Sequence, residues 1–96
     1  MLERDFQKRL RQDLKRIFPG CVVIKTDPTN FQGCPDLFIF YENKWAALEC
    51  KKSEKSHHQP NQDHWIGVLD EMSFADFVYP ENRKDILDEL QEFFSS

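Results

Sequence analysis

Apolar residues at Leu2, Phe6, Leu10, Leu14, Ile17 and Phe18 recur every three or four positions, and Arg4, Lys8, Arg9, Arg11, Lys15 and Arg16 fill the remaining faces. That period predicts an amphipathic helix over 2–18, closed by Pro19-Gly20. The pattern then shifts to a β-branched run at 21–26, which reads as a strand. Turn-forming residues at 27–34 predict a loop. Two further apolar runs, roughly 36–41 and 45–51, flank a tight turn at Glu42-Asn43-Lys44 and predict a hairpin. Polar residues 52–61 form a second loop. A helix over about 61–72 is expected to bury Trp65, Val68, Leu69 and Met72. A last strand spans 74–79, and after Pro80 a helix carries Ile86, Leu87, Leu90, Phe93 and Phe94 on one face. The resulting order, αβββαβα without repeat or linker, predicts a mixed α/β fold around one small sheet, in a single domain over 1–96.

Composition narrows the class. Ninety-six residues with 40% hydrophobic content and nine phenylalanines suit one compact core rather than a disordered chain. No apolar run approaches the roughly 18 residues of a membrane span, and the N-terminus is charged rather than signal-like, so no membrane partner is expected. Cys21, Cys34 and Cys50 are odd in number and lack CxxC spacing, which favours a reduced, cytoplasmic compartment over a disulfide framework. Net charge is −4, but residues 1–55 balance to +3 and residues 56–96 to −7. Positive potential is thus concentrated on the first half, and overall acidity does not exclude a phosphate-binding face.

That half also holds the chain's anomaly, charged residues inside apolar strands. Strand side chains alternate faces, so Glu49 and Lys51 point one way and Cys50 the other. A carboxylate and an ammonium on a mostly apolar strand are costly to bury unless paired or metal-bound. Asp36, at the start of the preceding strand, joins them only if paired residue numbers in the hairpin sum to an odd value, because a one-residue slip moves every side chain to the other face. A two-residue loop at Glu42-Asn43 pairs Tyr41 with Lys44 and meets that condition. Mg²⁺ takes hard oxygen donors, commonly one or two protein carboxylates. Asp36 and Glu49 supply these, the Cys50 backbone carbonyl offers a third oxygen, and Lys51 stands beside them to offset charge developing on phosphorus.

Asp36 followed by Glu49-Cys50-Lys51 resembles the signature of the PD-(D/E)XK, or restriction-endonuclease-like, superfamily, whose αβββαβ core matches the order above with one C-terminal helix added. Gly33-Cys34-Pro35-Asp36-Leu37, Glu49-Cys50-Lys51 and Gln62-Asp63-His64-Trp65 are similar to the VRR-NUC branch. Its small stand-alone members, many from phages, resemble Holliday-junction resolvases. The resemblance covers the chain from Glu3 to about Pro80. It implies metal binding by Asp36 and Glu49, catalysis by Lys51, an acid lent to the metal by Glu3 on the first helix, and Gln62 (with Gln59 as competitor) orienting the site or touching phosphate. The expected cofactor is Mg²⁺, with Mn²⁺ as substitute. A bacterial or phage-infected host cell is the implied setting.

The activity expected on these grounds is metal-dependent endonucleolytic hydrolysis of DNA, selective for branched substrates by shape and phosphate contacts. A homodimer would supply two sites for paired cuts. Lys52 and Lys55 beyond the active strand, and Lys8 and Arg11 on the first helix, are the DNA-contact candidates. Blander readings exist for each part. Glu49 and Lys51 can be a solvent-facing ion pair, Asp36 a turn residue, Glu3 a helix-dipole charge, Gln62 an idle first-turn residue, and Trp65 simply core. The basic helix face can be solvated only. His57, His58 and His64 lack zinc-ligand spacing. Two functional alternatives stay open: a nickase or flap/single-strand nuclease of the same fold, and a non-catalytic nucleic-acid or protein-interaction module retaining it.

Overall fold

In the computed structural model, which describes residues 1–27, 29 and 31–96, the chain follows the expected order. Helix α1 spans Glu3–Ile17, β1 Val22–Lys25, β2 Leu37–Tyr41, β3 Lys44–Cys50, α2 Pro60–Met72, β4 Phe74–Val78 and α3 Arg83–Ser95. Pro28 and Asn30, within the anticipated 27–34 loop, lie outside the described residues. The strands form one mixed sheet in the order β1-β2-β3-β4. The first three pair antiparallel and β4 runs parallel to β3, as a crossover through α2 requires.

Hairpin register is the decisive local feature. Tyr41 pairs with Lys44 and Leu37 with Leu48, giving an odd sum throughout. The loop is therefore Glu42-Asn43 alone. Lys44 belongs to β3, which corrects the three-residue turn. Glu42 takes φ 57°, the left-handed first position that primed hairpin turns demand. Asp36 falls one residue before β2 rather than inside it.

Alternation along the strands divides the interior in two. Ala46, Leu48 and Cys50 join Leu37, Ile39 and Val78 on one face, against Phe6, Leu10, Leu14 and Phe18 from the first helix and its end and Ile86, Leu87, Leu90 and Phe94 of α3. The spacing of four along α1 puts its apolar residues on one stripe, and Glu3 and Asp5 at its start with Lys15 and Arg16 at its end complement its dipole. An Arg83–Asp13 ion pair links α3 to α1.

The opposite face is smaller: Ala47 and Ala75 lie beneath Ile66 of α2, flanked by Phe38, Trp45, Leu69 and Phe77. This corrects the expected burial in α2. Ile66 is its one buried residue among those described, Trp65, Val68 and Leu69 are half-buried, and Met72 is 70% exposed. The reason is coverage: α2 packs on β3 and β4 through Ile66 and Leu69, and Met72 turns away from the sheet. Val22, Ile24 and Phe40, on the β1–β2 half of this face, stay exposed. No helix among the described residues is long and apolar enough to cross a membrane.

Candidate active site

The α2 face of the sheet ends in a cluster of charged side chains that the hairpin register puts together. Continuing the odd-sum pairing places Asp36 across from Glu49, although β2 has not yet begun there. Two contacts fix Asp36 at that frayed end. The Thr26 N–H donates to the Asp36 carbonyl at 2.8 Å, and Thr26 Oγ1 donates to the Pro35 carbonyl at 2.7 Å. The Asp36 carboxylate then takes over from the missing strand: its Oδ2 accepts the Cys50 N–H at 2.9 Å.

Glu49 and Lys51 are buried, at 4% and 7% exposure. Gln62, in the first turn of α2, connects them. Its Oε1 accepts from Lys51 Nζ at 2.7 Å and from the Gln59 N–H at 3.1 Å, while its Nε2 donates to Glu49 Oε2 at 3.1 Å. Lys51 Nζ also donates to the His57 carbonyl at 3.1 Å and lies 3.9 Å from Glu49 Oε2. The amide thus spends both ends on the site. Burial of Glu49 and Lys51 excludes the solvent-facing ion pair, and Gln62 is hydrogen-bonded to both of them.

Charge in this cluster is unbalanced. Burial first, and the neighbouring Asp36 charge second, push the Glu49 carboxyl up to about 8, with Lys51 opposing and Glu3 adding to the rise. Burial likewise raises the Asp36 carboxyl, against the Cys50 amide, the Lys51 charge and a hydrogen bond from Glu49. Two adjacent buried carboxyls with one ammonium leave a surplus negative charge in a poorly solvated place. A proton relieves it, and so does a divalent cation. That surplus, carried by hard oxygens, fits Mg²⁺.

The Cys50 side chain is no candidate ligand. It lies fully buried in the opposite core cluster, and burial, then Asp36 and Glu49, push its thiol pKa up. Its backbone is different. The Lys51 N–H donates to the Val78 carbonyl at 2.9 Å, so Lys51 turns its peptide groups toward β4 and Cys50 turns its own toward the β2 side. The last β2–β3 pair is Leu37 with Leu48. The Cys50 carbonyl therefore lies beyond the ladder, on the side where Asp36 stands.

Glu3 is not drawn in to the same degree. It is the exposed first residue of α1, and its charge reaches Glu49 and Cys50. Among the described residues, however, no three His, Cys, Asp or Glu side chains gather as a metal-ligand group. One turn later Gln7 is buried at 8%, a polar residue that the apolar period passed over. Arg11, another turn on, is half-buried, with Nε enclosed and without a hydrogen-bond partner among the described residues. Lys8, Lys52 and Lys55 are exposed. His58 is stacked on Phe77 with ring centres 3.9 Å apart, and its Nδ1 lies 3.0 Å from Asp63 Oδ1.

Gly33 is the least legible contributor. It takes φ +84°, and a Cβ there would lie 2.8 Å from the Asn61 carbonyl carbon and oxygen. Only glycine lets the segment leading to Asp36 press against the start of α2. Its twofold role was invisible because Asn61 lies 28 positions away.

No protein-family model matches the chain, and no curated protein does. Among solved structures, a chain described as a "VRR_NUC domain protein" superposes with a TM-score of 0.71 at 16% sequence identity, over 99% of this chain and 89% of that one. At that identity the likeness is one of fold, a VRR-NUC-like arrangement of the sheet and its three helices.

Proposed function

We propose that the chain is a metal-dependent DNA endonuclease of the PD-(D/E)XK type. The observation that carries this reading is the cluster at the sheet's end, where two carboxyls of raised pKa adjoin one lysine that a glutamine ties to Glu49. The fold of the VRR_NUC neighbour supports it. Asp36, Glu49 and the Cys50 carbonyl would hold Mg²⁺, or Mn²⁺ in its place, with Glu3 near enough to contribute charge. When bound, the ion supplies Lewis-acid polarisation of the phosphate and a lowered pKa for water.

The protein's own groups do the rest. Lys51, held by Gln62 and the His57 carbonyl, offsets negative charge as it grows on the phosphorus oxygens. Gln62 keeps Glu49 and Lys51 in register with each other, so it acts as a positioning residue. Water attacks phosphorus in line with the leaving 3′ oxygen: a new P–O bond forms as the P–O3′ bond breaks, the water gives one proton to solvent, and the 3′ oxygen takes one up. Lys52 and Lys55 lie on the exposed path leaving the active strand and suit backbone phosphate contacts. Branched DNA is the proposed substrate and a twofold homodimer the proposed assembly, since paired cuts need two sites.

The test is cleavage of labelled linear duplex and four-way junction with and without Mg²⁺ or Mn²⁺, using wild type and Lys51→Ala. Metal-dependent cutting that falls about 10²–10³-fold in the variant is expected, as for loss of one transition-state donor. No cutting of any substrate, or full activity in Lys51→Ala, sinks the nuclease reading and leaves the non-catalytic module. Single unpaired nicks on the junction would favour the nickase over the resolvase-like activity.

A further inference from the structure

Beside the charged cluster lies a cleft of about 320 Å³ lined by Gln32, Gly33, Gln59, Asn61 and Gln62. Its chemistry differs from everything around it. Four carboxamides and a glycine carry no formal charge, in a protein where 31% of residues are charged. Among the described residues lining it, phosphate has no cation to meet. Carboxamides present donors and acceptors side by side, which is the pattern displayed by the edge of a nucleobase. The Gln32 and Asn61 amides make no hydrogen bond to other described residues, so both retain that capacity. Gln62, in contrast, is committed to Lys51 and Glu49 and forms the wall shared with the reacting site.

Size and rim point the same way. The volume, about 320 Å³, lies at the floor of the roughly 300–1,000 Å³ range of small-ligand pockets, and is enough for one base. Phe31 is 46% exposed and packs edge-on against Trp65, with ring centres 4.9 Å apart. Phe31 directly precedes Gln32 of the cleft lining, and bases stack on aromatic faces without regard to sequence. The cleft is also built rather than accidental, because the Gly33–Asn61 approach clamps its two walls together.

We propose that this cleft receives one unstacked nucleobase, from a nucleotide adjoining the phosphate under attack, with Gln32 and Asn61 reading its edge and Phe31 covering its face. The inference rests on the nuclease reading and adds a reason for structure selectivity. Taking a base out of the stack costs least where it is mismatched or already single-stranded, so positions near a branch satisfy the pocket and uniform duplex does not.

Two measurements test it. In the first, wild type, Gln32→Ala and Asn61→Ala cut a junction carrying either a normal nucleotide or an abasic residue beside the cut. Wild type should lose about 5- to 100-fold in kcat/KM on the abasic substrate, the range of a good side-chain–base pair. Each variant should show a similar loss on the normal substrate and little further loss on the abasic one. Equal losses on both substrates would overturn the proposal.

The second needs no cleavage. A 2-aminopurine moved one nucleotide at a time along the junction strand should brighten at one position when Lys51→Ala protein binds, and not when Lys51→Ala/Asn61→Ala binds. No brightening anywhere overturns the base pocket. Brightening without any cutting by wild type leaves the pocket standing and removes the nuclease reading alone.

Discussion

Replacing Gly33 by alanine separates two penalties that usually come together. Gly20 and Gly33 have nearly the same backbone, φ +90° and φ +84°, but nothing lies within 4 Å of a Cβ at Gly20, whereas one at Gly33 meets the Asn61 backbone at 2.8 Å and its Cβ at 3.0 Å. Holding a non-glycine residue in that region costs about 1–2 kcal/mol, partly offset by about 0.4–1 kcal/mol from a less free unfolded chain. Gly20→Ala should therefore cost about 1 kcal/mol. Gly33→Ala adds the overpacking cost of about 1–3 kcal/mol, since the obstacle is helix backbone rather than a side chain that can swing away. Its total is about 2–4 kcal/mol.

For a domain of this size each kcal/mol lowers Tm by about 4–8 °C. Thermal and urea unfolding, followed by the fluorescence of Trp45 and Trp65, would read Gly20→Ala as a shift of about 4–8 °C and Gly33→Ala as one at least twice as large. Gly33→Asn, which tolerates the torsion but carries a Cβ, should not rescue. Equal losses at the two glycines, or rescue by asparagine, would refute the packing argument. In that case the loop would owe its position to Thr26 alone.

Stability should also depend on pH and metal through Glu49. Its folded pKa of about 8 exceeds the model-peptide value of 4.5, so between those values the native state holds more protons than the unfolded state and stability falls as pH rises. The metal-free protein should lose on the order of a few kcal/mol between pH 5 and pH 8.5, Mg²⁺ should restore it most at the upper end, and Glu49→Gln should flatten both responses; a wild-type Tm that climbs across that window would contradict the site's charge imbalance. At the hairpin, Glu42→Gly removes a left-handed strain and should raise stability by about 0.5–1 kcal/mol in urea denaturation. No gain there would mean that the turn relaxes around glutamate at no cost.

The sequence carried the fold where one period governed a whole element. The stripe of α1 from Phe6 to Leu14 and that of α3 from Ile86 to Phe94 each face one continuous core, so periodicity alone located them. The odd-sum register was legible because Glu42-Asn43 is short enough to permit few turns. Helix α2 departs most from expectation at Met72, which is exposed, since a sequence does not state that the helix lies over only half a sheet. In the site, Asp36, Glu49 and Lys51 were legible as charges out of place. Gly33 against Asn61, Thr26 holding the Asp36 peptide, and the enclosed Arg11 depend on contacts between distant segments and leave no local pattern. Gln7 is buried by its neighbours, not by its own character.

The single glutamine that joins Lys51 to Glu49 belongs to α2, whose one buried residue among those described is Ile66, while Met72 at its end is 70% exposed. Elements anchored this lightly open locally before the rest of a domain unfolds. The site thus sits across a seam between a firm sheet and a loosely held helix, and its failure and the helix's detachment are one event. On heating or in denaturant, activity should disappear while the α1–α3 core is still closed. The molecule would then wear out functionally well before it melts.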